Sequence, residues 1–250
     1  MDHPVVIITG GGRGIGFGIA QCFARRGATL VIADANSEAA ESAARELGAR
    51  GGATLGLGCD ITRREQVAAV IAATVERFGR IDVLVNNAGI CPFQEIMAMT
   101  PEVWQRTLDV NLTGAFHFTQ LVGQEMIRAG TPGRIVFVTS LATDITAANQ
   151  VDYAASKAGL RMTMKGFAAA LGPHGITCNA VAPGMILTKM TEHHWAQPGP
   201  AEYIKTRVPT GRIGTPEDVG NAAVFLASPE AAYISGTTIR VDGGFCVSNR

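Results

Sequence analysis

The chain has 250 residues, 47% of them apolar, with 30 glycines and 21 acidic against 21 basic side chains. A neutral balance without a basic run argues against nucleic acid or an anionic membrane surface as a partner, and apolar stretches this short, broken by Gly, Pro or charge, exclude a transmembrane helix. Cys22, Cys59, Cys91, Cys178 and Cys246 are scattered without a C-x-x-C pair, and the first strand-like run begins at Val5, so free thiols in a reducing cytoplasm are expected and export is not.

Apolar runs of strand length alternate with amphipathic runs of helix length. "VVIIT" from Val5 reads as a strand and Gly16 to Arg26 as a helix. "TLVIAD" is a second strand, and the helix "SEAAESAARELG" follows with Ser37 as its expected N-cap. "ATLGLGCD", "REQVAAVIAATVERFG" and "IDVLVNNAG" read as strand, helix and strand. A long helix is expected from about Pro101 to Arg128, then the strand "GRIVFVTS" and a helix ending near Gly172 and Pro173. "ITCNAVAPG" and "TTIRVDGG" are the last strands, with the helix "PEDVGNAAVFLAS" between them. Strands that are apolar throughout imply a parallel sheet covered on both faces. The expected fold is therefore one doubly wound Rossmann-type α/β domain over residues 1–250, with close to seven strands. The irregular stretch 185–214 follows a strand end, where ligands sit in such folds, and is expected to be a substrate loop.

"TGGGRGIG" lies between the first strand and the first helix, with Gly10, Gly14 and Gly16 spaced G-x-x-x-G-x-G. Glycine there lets the main chain turn and approach a pyrophosphate, which the helix N-terminus favours. Asp34 ends the second strand, where a carboxylate would accept from ribose hydroxyls and repel a 2′-phosphate, pointing to NAD over NADP. Arg13 is the contrary signal, since it could pair with that phosphate. The bland alternative for Asp34 is a helix-start residue; for Asp60, which could accept from an adenine amino group, it is a cap on a helix beginning near Thr62.

Tyr153 and Lys157 stand four apart in "YAASK", so they share a helix face. A nearby ammonium would lower a phenol pKa that is ordinarily near ~10. Y-x-x-x-K alone usually marks a solvated surface, but Ser140 closes the strand "RIVFVTS" and should emerge at the same sheet edge.

With these motifs goes an ordered series: "NNAG" from Asn86, Asn111 in "DVNLTG", "PG" at Pro183 and Gly184, and "VDGG". Together they resemble the short-chain dehydrogenase/reductase family along essentially the whole chain. The resemblance implies a catalytic tetrad of Asn111, Ser140, Tyr153 and Lys157. Tyr153 would exchange the substrate proton, Ser140 would orient the substrate oxygen, Lys157 would lower the tyrosine pKa and hold the nicotinamide ribose, and Asn111 would hold a relay water. The resemblance also sets Asn86, Ala88 and Gly89 against the adenosine ribose and cofactor backbone, places Thr188 near the nicotinamide carboxamide, and adds Ile15, Ile61, Pro183, Gly184 and Ile186 to the cofactor contacts. Asn87 would support the sheet.

"NNAGICPF" and the run from "ALGPHGITCNAVAPG" to "VDGGF" look most like bacterial sugar 1-dehydrogenases of this family, which implies oxidation of an aldose to a lactone. Reduction of a 3-oxoacyl thioester or oxidation of another secondary alcohol is the alternative, and a noncatalytic cofactor sensor the less favoured one. Lys189, His193, His194, Trp195, Lys205 and Arg207 in the substrate loop could receive an anionic sugar. No metal motif is seen among the five histidines. The family resemblance further implies a homotetramer, with Ala154, Ala155, Ala158 and Gly159 allowing close helix packing.

Overall fold

A computed structural model describes residues 3–49, 51–188 and 200–247, the side chains of 200, 201 and 205 excepted. Seven strands, β1 (Val5–Thr9), β2 (Thr29–Asp34), β3 (Thr54–Gly58), β4 (Val83–Asn86), β5 (Arg134–Val138), β6 (Thr177–Pro183) and β7 (Thr238–Val241), form one parallel sheet in the order β3-β2-β1-β4-β5-β6-β7. The order reverses beside β1, so the crevice between the ends of β1 and β4 is the place where such sheets bind ligands.

The helices are α1 (Gly14–Ala24), α2 (Ser37–Gly48), α3 (Arg64–Phe78), α4 (Pro101–Leu108), α5 (Ala115–Ala129), α6 (Val151–Leu171), α7 (Pro200–Arg207) and α8 (Pro216–Ala227). Successive strand residues point to opposite faces. Val6 and Ile8 therefore pack with Ile19 and Phe23 of α1, Leu47 of α2 and Leu226 of α8, while Ile7 and Leu84 pack with Val67 of α3, Phe118 of α5 and Met164 of α6. With both faces covered, all five residues of β1 are buried, which is why its sequence shows no polar alternation. A Cβ on Gly220 would lie 2.5 Å from Cys22 Sγ, so α1 and α8 cross closely only because glycine stands there.

Three local expectations are corrected. The N-cap of α2 is Asn36, whose side chain accepts from Ala39 N at 3.0 Å; Ser37 is its first helical residue. Asp60 does not cap α3, which begins at Arg64; its Oδ1 instead accepts from Thr62 N at 3.0 Å and Thr62 Oγ1 at 2.7 Å, closing a local turn. The single helix expected from Pro101 to Arg128 is interrupted by a π-turn over Asp109–Gly114, a wider turn that aims Asn111 inward. Gly114 sits in that turn where a Cβ would come within 2.5 Å of Ile61 Cγ1.

The expected substrate loop is tied at its neck by a parallel bridge between Ile186 and Gly214, with Leu187 N donating to Gly214 O at 2.8 Å and Gly214 N to Met185 O at 2.9 Å. Inside it lies α7. Lys189, His193, His194 and Trp195 lie outside the described residues, as does the Lys205 side chain. Arg207 lies over the Tyr203 ring, 5.9 Å from its centroid. Among the described residues no helix is long and apolar enough to cross a membrane.

Candidate active site

Parallel strands place all their C-terminal ends on one edge, and the expected site residues gather there. At the end of β1 the chain enters the glycine turn with Gly10 at φ 61° and Gly14 at φ 57°, both in the left-handed region. A Cβ on Gly10 would lie 2.8 Å from Ala88 Cα, and one on Gly16 would run into the Gly10 carbonyl. The turn is held from β4: Asn87 Nδ2 donates to Thr9 O at 2.9 Å and Gly10 O at 3.0 Å, while Thr9 Oγ1 accepts from Asn87 N and Ala88 N. Asn87 thus supports the turn as well as the sheet. Asp34, half-buried at the end of β2, accepts from Gly12 N and Asn36 N, both at 3.0 Å. Arg13 is exposed at the N-terminus of α1. Thr188 faces the turn from across the crevice, 3.8 Å from where a Gly14 Cβ would be. A bare main-chain cradle at a helix N-terminus, flanked by a carboxylate, fits a dinucleotide's pyrophosphate and ribose.

The catalytic candidates converge beyond β4 and β5. Ser140 lies two residues beyond the end of β5; its Oγ accepts from Ala142 N at 3.1 Å, and it is near enough to the Tyr153 phenol to lower its pKa. Lys157, 3% exposed, lies 5.7 Å from the Tyr153 ring centroid and donates from Nζ to Val138 O at 2.8 Å. A Cβ on Gly89 would lie 3.1 Å from Asn111 Oδ1 and 3.3 Å from Lys157 Nζ, so this glycine lets the loop after β4 pass over both. Asn111 is fully buried: Oδ1 accepts from Ile90 N at 2.8 Å, and Nδ2 donates to Ile90 O and Ser156 Oγ, each at 2.9 Å. Both amide donors are used, so a water held here would sit on the main-chain carbonyl or the remaining Oδ1 lone pair.

Residues 10–246 match the profile of a family described as enoyl-(acyl carrier protein) reductase. The chain is 41% identical to L-rhamnose 1-dehydrogenase (NAD(P)(+)) of Azotobacter vinelandii over 97% of this chain and 96% of that protein. It belongs to the short-chain dehydrogenase/reductase family. Within that family it is also 40% identical to a 3-oxoacyl-[acyl-carrier-protein] reductase of Synechocystis, over 98% of this chain and 97% of that protein. A crystal structure of 7α-hydroxysteroid dehydrogenase complexed with NADH and 7-oxo glycochenodeoxycholic acid superposes with a TM-score of 0.91 at 36% identity, covering 97% of this chain and 94% of that one. The chain is thus an NAD(P)-dependent oxidoreductase of this family, with the family's seven-stranded Rossmann-like sheet.

Electrostatics around Ser140, Tyr153 and Lys157 run against one simple expectation. Burial pushes the Tyr153 phenol up to about 12, with the Ser140 hydrogen bond pulling the other way and Cys91 adding to the rise. Burial likewise pushes Lys157 down to about 8. The lowering expected from Lys157 is not among the influences on the phenol, whose direction burial sets. Cys91 sits beside them, its thiol pushed up to about 11 by burial, with Asp152 and Lys157 acting in opposite senses.

Several other expected contact residues have side chains turned into the protein. The Asn86 side chain is buried and donates from Nδ2 to Thr119 Oγ1 at 2.9 Å, turned toward α5. Ile61 and Ile186 are buried, and Ile15 packs on the core under α1. Pro183 ends β6, and Gly184 N donates to Val241 O at 2.9 Å, placing "PG" against the turn after β7. Asp60 is held ionised: burial raises its pKa, but the Thr62 hydrogen bonds and then Arg106 and Arg63 lower it below the ordinary value. Of the small residues on α6, Gly159 and buried Ala154 serve packing within the chain, a Gly159 Cβ meeting Leu112 Cδ2 at 3.1 Å, while Ala155 is exposed. Sequence reasoning missed Thr9, Ser156 and Cys91. Thr9 is signalled by its place before the glycines; Ser156 and Cys91 become visible only when the strand ends are brought together.

Proposed function

We propose that the protein is an NAD-dependent sugar 1-dehydrogenase that oxidises the anomeric hydroxyl of an aldose to an aldonolactone. The observation that carries this reading is the Ser140–Tyr153–Lys157 cluster at the strand ends beside the glycine cradle. The similarity to an L-rhamnose 1-dehydrogenase supports the choice of substrate class. With the dinucleotide bound, its nicotinamide would supply the hydride acceptor. Gly10, Gly14 and Gly16 would admit the pyrophosphate, Asp34 the adenosine ribose hydroxyls, and Thr188 the carboxamide end. Ser140 orients the anomeric oxygen, and Tyr153 takes its proton as the C–H hydride departs. Lys157, held on the Val138 carbonyl, passes the proton onward, with Asn111 holding the water that receives it.

Asp34 between two main-chain amides favours NAD, since its charge opposes a 2′-phosphate there. We further propose a cytoplasmic homotetramer. Five unpaired cysteines suit a reducing compartment, and Phe116 and Met162, 39% and 62% exposed on α5 and α6, support burial against other copies. Sedimentation showing only monomer at micromolar concentration would reject the assembly.

The deciding assay measures initial rates with NAD and NADP on neutral deoxyhexoses, other aldoses, acidic sugars and secondary alcohols, and the reverse reaction on 3-oxoacyl thioesters. Tyr153-dependent oxidation of one sugar class is expected. Turnover of 3-oxoacyl compounds instead would move the protein to the second reading, which the Synechocystis relative supports.

A further inference from the structure

We propose that Asp144 is a positioning residue of the catalytic centre, its carboxylate fastening the turn that carries Ser140 to the helix that carries Tyr153. The proposal rests on the catalytic reading of Ser140 and Tyr153 given above. Ser140 opens a short 3₁₀ turn, Leu141–Thr143, that is bonded throughout. Ser140 O accepts from Thr143 N at 3.1 Å and Thr143 Oγ1 at 2.9 Å, and Asp144 N donates to Leu141 O at 2.9 Å. The serine and the aspartate therefore move as one piece.

From that piece the Asp144 carboxylate reaches two other elements. Arg161 Nη1 of α6 donates to Oδ1 at 2.7 Å, and Arg240 Nη2 of β7 donates to Oδ2 at 3.0 Å. Arg161 lies eight residues beyond Tyr153, little more than two helical turns along the same helix. The bridge thus spans, side chain to side chain, the gap that Ser140 and Tyr153 must keep constant. Burial alone would raise the Asp144 pKa, yet Arg161 and Arg240 hold it below the ordinary carboxylate value, so the bridge is charged throughout the working pH range. Its side chain is 28% exposed, against 46% and 60% for the surface pair Arg25–Glu217. Isolated exposed pairs contribute little to stability. Here the value of the bridge lies in geometry.

The phenol is faced by Lys157 from its own helix, by Ser140 from the β5 turn and by Cys91 from the loop after β4. The carboxylate is faced by Arg161 and Arg240, with Asp242 and Cys246 beyond Arg240. Releasing Asp144 frees the turn to carry Ser140 away from the phenol, and Ser140 is the one neighbour among these that lowers the phenol pKa. Oxidation needs the phenolate, so the acidic limb of the kcat profile follows that pKa.

The test compares wild type, Asp144→Ala, Asp144→Glu and Tyr153→Phe on whichever sugar the wild type oxidises, with kcat and KM followed across pH. For Asp144→Ala the expected result is a kcat loss of about tenfold, an acidic limb displaced by about one pH unit toward alkaline, and unchanged NAD affinity. Asp144→Glu restores most of both. Arg25→Gln, at a remote surface pair, leaves the limb in place. If Asp144→Ala does not fold, Arg161→Gln and Arg240→Gln each break one arm and should move the limb partway. An unmoved limb in the Asp144 variant, or in both arginine variants, overturns the positioning role while a dead Tyr153→Phe keeps the catalytic reading. Turnover insensitive to Tyr153→Phe overturns both.

Discussion

Around β1 and β2 the site is made of main chain, whereas around β5 and α6 it is made of side chains. The cradle is defined by atoms that are absent: no Cβ fits at Gly16, and Gly10 and Gly14 turn with φ of 61° and 57°. The proposed catalytic corner is defined by groups whose charged forms burial opposes, Tyr153 pushed up to about 12 and Lys157 down to about 8. The comparison teaches that binding and chemistry draw on different parts of the molecule's stability. Main-chain amides offer their donors at no further cost. A buried ammonium is held against its desolvation at neutral pH.

Substitutions can break or sharpen this contrast. The largest effect is expected from Tyr153→Phe, which should lower kcat by about a thousandfold while NAD affinity, read by fluorescence titration, stays at the wild-type value. Gly16→Ala should do the reverse. Its Cβ runs into the Gly10 carbonyl, so the turn must open, weakening NAD binding by about a hundredfold; a wild-type Kd would show that the cradle is not main-chain limited.

Lys157→Met separates stability from chemistry. Because the folded-state value of about 8 lies below the ordinary 10.5, the unfolded chain binds more proton between those limits, and stability rises as pH climbs through them. Tyr153 acts in the opposite sense: its stabilising contribution is full below 10 and is lost as pH climbs to about 12. Removing the ammonium should therefore raise stability at pH 7 by on the order of 2 kcal/mol and flatten the rise from pH 8 to 10.5, in urea melts, while turnover collapses. A destabilised variant would mean that the Val138 hydrogen bond outweighs desolvation. The smallest effect is Gly14→Ala, where a Cβ has room, 3.8 Å from Thr188 Cγ2, and only the left-handed φ resists it. About 1 kcal/mol should be lost in the same melts.

The same contrast explains what could be read from sequence. The strands were legible because burial on both faces makes them apolar runs, and the glycine cradle because its residue type is dictated by space. Ser140, Tyr153 and Lys157 were legible as an ordered set. What a side chain does with its hydrogen bonds was less so. The Asn36 cap displaced Ser37 because the helix begins one residue earlier than a Ser37 cap would set it, and both residues are of capping type. Asn111 lay in a stretch whose helical periodicity gave no sign of the π-turn, and its partners Ile90 and Ser156 are distant in the chain. Asp34 and Asp60 read either as carboxylates that meet a cofactor or as local helix-start residues; Asp34 accepts from Gly12 N of the glycine turn as well as from Asn36 N, and Asp60 from Thr62 in its own loop. The Tyr153–Lys157 pair shows the limit of spacing arguments: four residues fix the shared face, while the packing above that face decides which charge state is favoured.

The bridge between Ile186 and Gly214 has an evolutionary consequence. It ties the two ends of the segment that would meet the substrate together, while Thr188 just beyond it still faces the glycine turn. Lengthening a closed loop is inexpensive, each doubling costing only about 0.6 kcal/mol. Added length between those two ends therefore costs little as the chain diverges, and the strands, the cradle and the Ser140–Tyr153–Lys157 cluster need not change with it.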